Sequence, residues 1–241
     1  AACDPHRVFV EWIDNTPPSA KRLVNKWRKL PIPEGYESKL DGVISKKPEY
    51  KFMPGLQSTF SDVDLEQSTV IISPTLEKLE EAHKLKGEGE VSDEPTMLAS
   101  LPSVLDPSMK TKNGLHTFGV EVLFTPYSLK GGWGNSQEPS RWLGIWGELM
   151  QEDPLKYIDN WRAMTPDVYE RDFHMKKGHS PSYISSPLAT LFGRQRELSR
   201  YETPISGLFL TGAATFPGAG IFGAPGRNTA SSVLASTERR K

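Results

Sequence analysis

The segment from Gly207 to Asn228 reads GLFLTGAATFPGAGIFGAPGRN, and within it Gly218-Ala219-Gly220-Ile221-Phe222-Gly223 has the spacing G-x-G-x-x-G. That spacing marks a phosphate-binding turn only where a strand runs straight into the glycines, a helix opens on them, and a second strand returns about 30 residues later. Here the strand-like run Gly207 to Thr211 stops several residues before Gly218, and only the eighteen residues Ala224 to Lys241 follow Gly223. One helix and a charged tail fit in that length, but a helix plus a returning strand does not. The glycines are therefore expected to form a Gly-rich loop that leads into a closing helix rather than the first turn of a βαβ unit.

A chain of 241 residues accommodates one large or two small domains and a sizeable core. Lys plus Arg is 29 against 30 for Asp plus Glu, a net charge of -1, so no global field draws the chain to nucleic acid or anionic lipid. The single cysteine, Cys3, rules out an intrachain disulfide framework and a cysteine zinc cluster. No apolar run approaches the roughly 18 to 20 residues of a membrane span. The opening AACDPHR has neither an initiating Met nor a signal-peptide apolar stretch. It reads as a strand end turning at Asp4-Pro5, with a strand expected before it.

Along the chain, Pro5 to Ile13 and Ser19 to Trp27 read as short helices, and residues 31 to 69, rich in Pro, Gly and Lys, as mostly loop. Ser68 to Ile72 reads as a strand, and Ser73-Pro74 as the cap and first turn of a helix from Thr75 to about Lys86. The clearest strand is HTFGVEVLF, where Phe118, Val120, Val122 and Phe124 alternate with Thr117, Gly119, Glu121 and Leu123. That is the pattern of a half-buried antiparallel strand. Helices are expected over Glu138 to Gln151, Pro154 to Met164 and Thr165 to Asp172, with residues 174 to 204 as loop. Strands and helices without regular βαβ alternation point to an α+β fold.

His6, His83, His116, His174 and His179 are scattered, and no pair has the i, i+4 spacing beside an acid that a helical zinc site requires, so no metal is expected. Trp142, Trp146 and Trp161 fall at helical spacing and read as core rather than as a ligand box. No G-x-S-x-G elbow is present, which leaves the catalytic residues unassigned. In the C-terminal segment, small residues at Gly212 and Ala213 allow close backbone approach. A helix N-terminus behind Gly218 to Gly223 offers N–H groups and a positive dipole end to an anion or an electron-rich ring edge. The same glycines would also serve a tight strand-loop-helix turn for backbone geometry alone.

LFLTGAATFPGAGIFGAPGRNTASSVL, at 208 to 234, resembles the C-terminal flavin-contacting motif of the phytoene desaturase-like FAD-dependent oxidoreductases. That family includes carotenoid desaturases and pyridine nucleotide-disulfide oxidoreductase-domain proteins. ACDP at 2 to 5, LPSVLDPSMK at 101 to 110, FGVEVLFTPY at 118 to 127, MTPDVYERDF at 164 to 173 and KGHSPSY at 177 to 183 resemble further stretches of the family, in the same order. The C-terminal motif is fairly specific and the others individually modest.

The resemblance implies the second half of such an enzyme. Residues 1–200 would form a substrate domain, an antiparallel or mixed sheet with helices and flanking segments of the FAD domain. Residues 201–241 would form the FAD-contacting strand, loop and helix of an incomplete Rossmann-like domain. It implies FAD as cofactor, with Gly212 and Ala213 beside the pyrophosphate or ribityl chain. Gly218, Ala219, Gly220 and Ile221 would lie along the isoalloxazine, and the helix from Gly223, including Asn228, would be aimed at the pyrimidine edge of the ring. The partners implied are an N-terminal dinucleotide-binding half, as a separate chain or as the rest of a longer protein, and a small lipophilic or amine-like substrate. A cytoplasmic location is expected, or the mitochondrial matrix in a eukaryote, with peripheral membrane attachment left open. Phe216 stands where the family often has His, and Ala219 replaces a frequent Gly. The alternative from another class is a binding or interaction module that keeps the substrate-domain fold without redox activity.

Overall fold

A computed structural model describes residues 1–51, 69–183, 196–220 and 223–239. The chain divides into two compact units, one of Glu34–His179 and one of Ala1–Pro33 with Ser180–Lys241.

In Glu34–His179, the strands β1 (Glu37–Ile44), β2 (Val70–Ile72), β3 (Met97–Ser100), β4 (His116–Leu123) and β5 (Ile158–Met164) form an antiparallel sheet in the order β2-β3-β4-β1-β5. The alternation expected in HTFGVEVLF is realised in β4 for Phe118, Val120 and Val122, which are buried, but the strand ends at Leu123 and Phe124 has a φ of 60°. Among the helices α1 (Lys21–Lys29), α2 (Leu76–Glu88), α3 (Pro102–Leu105), α4 (Glu138–Glu148), α5 (Pro166–Phe173), α6 (Arg196–Arg200) and α7 (Ala224–Glu238), it is α4 that supplies Trp142, Leu143 and Trp146 to the core cluster of this sheet. Trp146 stacks on Phe118 with ring centroids 5.2 Å apart, and its indole N–H donates to the Tyr50 hydroxyl at 3.1 Å. Trp142 and Trp146 are thus core residues, as their spacing suggested. These elements make the fold α+β.

Four expectations are corrected. Pro154 to Met164 is not a helix: a 3-10 turn, Pro154–Lys156, leads into β5. Its pairing with β1 shifts register between Val43 and Ile44, with Val43 opposite Asn160 and Ile44 opposite Ile158. The extra residue, Asp159, is a bulge that turns the inward series into Ile158, Trp161 and Ala163, and the first step of three imitates a helix. The second correction lies within 31 to 69, where β1 pairs on both sides. Its inward positions are Ser38, Leu40, Gly42 and Ile44, so half of the apolar signal is missing. Gly42 is required by packing: a Cβ there would lie 2.5 Å from the Phe118 ring. Residues 52–68 of that stretch, including Ser68, lie outside the described residues.

The third correction is the cap of α2, which is Thr75, whose hydroxyl accepts from Lys78 N–H, rather than Ser73. The fourth concerns the later part of the chain. Gly207 to Thr211 forms no strand but an isolated antiparallel bridge, Glu202 to Phe209, and residues 174 to 204 include a 3-10 turn, Lys176–Gly178, in the sheet unit and α6 in the other. Residues 184–195 of that range lie outside the described residues.

The unit containing both termini has a smaller core of Val8, Phe9, Val24, Trp27, Leu198 and Leu210. Pro5 to Ile13 takes the form of a π-helical turn, Arg7–Glu11, that buries Val8 and Phe9. Glu197 of α6 is 8% exposed and accepts from Lys26 Nζ at 2.7 Å and Trp27 Nε1 at 2.8 Å. That pairing offsets the cost of burying its charge. Among the described residues no helix is long and apolar enough to cross a membrane.

Candidate functional site

The residues singled out at the C-terminus fall within one unit, at the junction of an extended segment, a loop and α7. Leu210 is 1% exposed, and its N–H donates to Tyr201 O at 2.8 Å. On the other side, Ala1 N donates to Phe209 O at 2.5 Å and Thr211 N–H donates to Ala1 O at 2.9 Å. One residue bonding to both neighbours of a position across from it is the parallel pairing pattern. Residues 209–211 therefore lie between Ala1 and the Tyr201–Glu202 segment.

The chain turns at Gly212, whose φ of 85° lies in the left-handed region that glycine enters without strain. Thr215 closes the turn, its N–H and hydroxyl both donating to Gly212 O, at 3.0 and 2.9 Å. Gly218 N–H donates to Thr215 O at 2.8 Å, and Phe216 N–H donates to Leu198 O at 2.9 Å. Ala213 O accepts from Tyr183 N–H at 2.9 Å, and the Tyr183 ring meets Phe216 edge-on with centroids 5.7 Å apart. Gly218 has a φ of 109°, and Ala219 and Gly220 continue the loop as exposed residues. Ile221 and Phe222 lie outside the described residues. Gly223, with φ 62°, is the N-cap of α7, and no side chain caps that end.

A Cβ on Gly212 would meet Ala2 at 3.5 Å, and one on Gly218 would meet Tyr183 at 3.5 Å, both ordinary contacts with the chain itself. At these two positions glycine is required for φ. Among the described residues, a Cβ on Gly223 would meet nothing within 4 Å. The Thr211 hydroxyl, one residue before the turn, is buried with no hydrogen-bond partner among the described residues. A buried hydroxyl without a partner costs about 1–3 kcal/mol, which a polar group arriving at the turn would recover. An uncapped helix start and an orphaned hydroxyl suit an anionic or polar ring ligand.

Asn228 lies in the second turn of α7, and its side-chain Nδ2 donates to the Tyr201 hydroxyl at 2.8 Å. The same hydroxyl donates to Phe216 O at 2.9 Å. Thr229 Oγ1 contacts both Leu210 O, at 3.0 Å, and Pro225 O, at 2.8 Å, pinning α7 to the extended segment. Tyr201, Tyr183 and Thr211 thus belong to the junction, and no local pattern marks them for it. Nothing in a stretch such as LSRYETP marks a tyrosine as having φ 63°.

A second polar cluster lies in Glu34–His179, on the face of the sheet opposite the tryptophans. The registers put Glu37, Lys39 and Asp41 of β1, Glu121 of β4 and Arg162 of β5 on that face. Lys39 Nζ is 3.1 Å from Asp41 Oδ1, and Arg162 approaches the other Asp41 oxygen at 3.6 Å. Burial, then the charge of Glu121 and a hydrogen bond with it, hold the Glu37 carboxyl above its ordinary range. Burial first, then Glu37, Asp41 and Glu121, push the Tyr169 hydroxyl up to about 12. Tyr127 is also pushed up to about 12, chiefly by donating to the Glu170 carboxylate. Ser103 Oγ bonds to His116 Nδ1 at 3.1 Å, but Ser103 is 1% exposed and accepts from Thr117 N–H at 2.9 Å. That serine anchors α3 to β4 and is not an accessible nucleophile. Among the described residues, no three His, Cys, Asp or Glu side chains gather as a metal site.

Over 149 residues the chain is 31% identical to pyridine nucleotide-disulfide oxidoreductase domain-containing protein 2 of Mus musculus, a match that spans 59% of this chain and 25% of that protein. It is 29% identical over 148 residues to the Rattus norvegicus protein of the same name, with the same two shares. No protein-family model matches the chain. The chain spans about a quarter of the length of the curated relatives it matches. The relationship is distant, and it is to oxidoreductase-domain proteins.

Proposed function

We propose that this chain supplies the C-terminal portion of an FAD-dependent oxidoreductase of the phytoene desaturase-like group, a dehydrogenase or desaturase acting on a lipophilic or amine-like substrate. Residues 201–241 are its flavin-contacting part and residues 1–200 contain its substrate domain. The N-terminal dinucleotide-binding half comes from another chain or from the rest of a longer protein. The observation that carries this proposal is the match to relatives named as oxidoreductase-domain proteins.

The geometry at 209–228 agrees with it. FAD, when bound, supplies the hydride acceptor. The chain's own contribution is to bind and orient: the backbone turn at Gly212 and the Thr211 hydroxyl offer polar contacts to the chain of the cofactor, and Gly218, Ala219 and Gly220 offer a side-chain-poor surface to a ring. The N-terminus of α7, from Gly223, favours negative charge near it. One observation favours a purely structural role for the loop, since the would-be Cβ atoms of Gly212 and Gly218 meet only the chain itself.

A visible absorption spectrum of the purified protein, taken with the intact mass of every polypeptide present and repeated after adding FAD, separates the two. Flavin absorbance together with a polypeptide segment carrying an early G-x-G-x-x-G supports the oxidoreductase. A colourless protein that takes up no FAD even with that half present leaves a binding module.

A further inference from the structure

Tyr201 is held at a backbone angle that a bulky side chain rarely adopts. Its φ is 63°, and Glu202 N–H donates to Arg200 O at 2.7 Å around it, a tight three-residue turn at the end of α6. Left-handed geometry is costly for a non-glycine residue and persists only where the surroundings fix it. The surroundings here are specific. The residue is 6% exposed, its carbonyl accepts from Leu210 N–H, and its hydroxyl reaches both the loop at Phe216 and α7 at Asn228.

The direction of those hydroxyl bonds is forced. Phe216 O is a carbonyl and can only accept, so the one proton of the phenol goes there. The phenol oxygen is then an acceptor toward Asn228, which turns its NH2 group to Tyr201. That fixes an orientation which carboxamide electron density rarely distinguishes. The Asn228 carbonyl oxygen points elsewhere, and among the described residues it has no partner.

We propose that Tyr201 is the positioning residue of this site: it locks the 212–218 loop to the start of α7 and commits Asn228 to present a hydrogen-bond acceptor. This rests on the cofactor assignment above for its ligand. The pyrimidine edge of an isoalloxazine alternates carbonyl, imide N–H and carbonyl groups. Backbone N–H groups at the start of a helix suit the carbonyls, and a side-chain carbonyl beside them suits the imide N–H. A carboxamide turned the other way would offer a second donor and leave the imide unmatched.

The test compares the full chain with Tyr201→Phe, which keeps the ring and loses both hydroxyl bonds. Amide hydrogen exchange is expected to rise about tenfold at 212–218 and in the first two turns of α7, and to stay unchanged around Val24 and Trp27. The Asn228 side-chain NH2 resonances are expected to shift toward solvent values. Asn228→Ala removes only the second bond, so it should speed exchange in α7 and leave 212–218 as in the wild type. Exchange that is unchanged in Tyr201→Phe, or faster uniformly across the unit, overturns the positioning role. Addition of FAD in the presence of the N-terminal half separates this from the cofactor assignment. A loop that loosens in Tyr201→Phe while the wild type takes up no flavin retires the cofactor and keeps the positioning role.

Discussion

Val120 and Leu210 are both all but fully buried, yet their backbones are held in different ways. Val120 sits inside a ladder, opposite Leu40 of β1 on one side and Ala99 of β3 on the other, with equivalent pairs above and below. Leu210 lies beside an isolated bridge, Glu202 to Phe209, and its N–H donates to Tyr201 O. In the sheet unit the geometry is shared among many similar bonds, and no single polar side chain sets it. In the terminal unit individual groups set it: the hydroxyls of Thr215, Thr229 and Tyr201, the carboxylate of Glu197, and glycines at positive φ. Placement of the loop there depends on few groups, so single substitutions are expected to loosen it locally.

The largest effect is expected where packing dominates. Trp146→Ala removes a fully buried ring stacked on Phe118 and leaves the Tyr50 hydroxyl without its indole partner. A loss of about 3–5 kcal/mol in chemical denaturation is expected, as for other buried Trp truncations. A loss below about 1 kcal/mol would mean that the sheet does not depend on the face of α4, and the contrast between the units would fail.

Glu197→Ala probes the other side of the contrast. Lys26 is partly exposed and regains water, but the Trp27 indole N–H, on a residue 8% exposed, is left without an acceptor. About 2 kcal/mol is expected from the orphaned donor. Glu197→Gln, which still accepts from Trp27, should lose about half as much. Equal losses in the two variants would show that the charge on Lys26, rather than the indole bond, is what Glu197 serves.

The same contrast explains what the sequence disclosed. Alternation found β4, helical spacing found α4 with its two buried tryptophans, and Thr165-Pro166 found α5 within a residue, while Ser73-Pro74 pointed to α2 but missed its cap, Thr75. Periodicity failed where one residue breaks the period: the bulge at Asp159 made β5 look helical, and Gly42 and Ser38 diluted β1. Of the candidate site, the glycines and α7 were legible because positive φ and a helix start leave marks in composition. Tyr201, Tyr183 and Thr211 were not, because a side-chain hydroxyl bonding to a distant carbonyl has no local pattern. Glu37 and Glu121 were invisible for a related reason, since only the β1–β4 register brings them together.

Two glycines sharpen the comparison further. Gly42→Ala puts a Cβ 2.5 Å from the Phe118 ring, and overpacking of about 2 kcal/mol is expected. Gly212→Ala has room, with its nearest contact at 3.5 Å, and should lose only about 1 kcal/mol, from a φ of 85°. If Gly212→Ala abolishes FAD uptake while its melting curve shifts by no more than that, a ligand approaches the turn. If uptake by the assembled protein is unaffected, the turn is structural.

The smallest effect is electrostatic and belongs to the sheet unit. Tyr127 and Tyr169 are both pushed up to about 12, against an ordinary value of about 10, for different reasons. The main cause for Tyr127 is its bond to Glu170, and the main cause for Tyr169 is burial, followed by Glu37, Asp41 and Glu121. Because the neutral phenol is the form favoured in the folded state, the stability each contributes is fully present below about pH 10 and is lost as pH rises toward about 12. A titration of tyrosinate absorbance should therefore show two late-ionising groups in the folded protein. Glu170→Gln should return Tyr127 toward the ordinary range and leave Tyr169 late, while Glu37→Gln should lower Tyr169 slightly and leave Tyr127 in place. If Glu170→Gln moves both tyrosines together, the two ionisations are set by one shared environment on the sheet. The polar face would then be a single coupled site, with its own collective geometry, and the sheet unit would no longer differ from the terminal unit in lacking polar groups that act in concert.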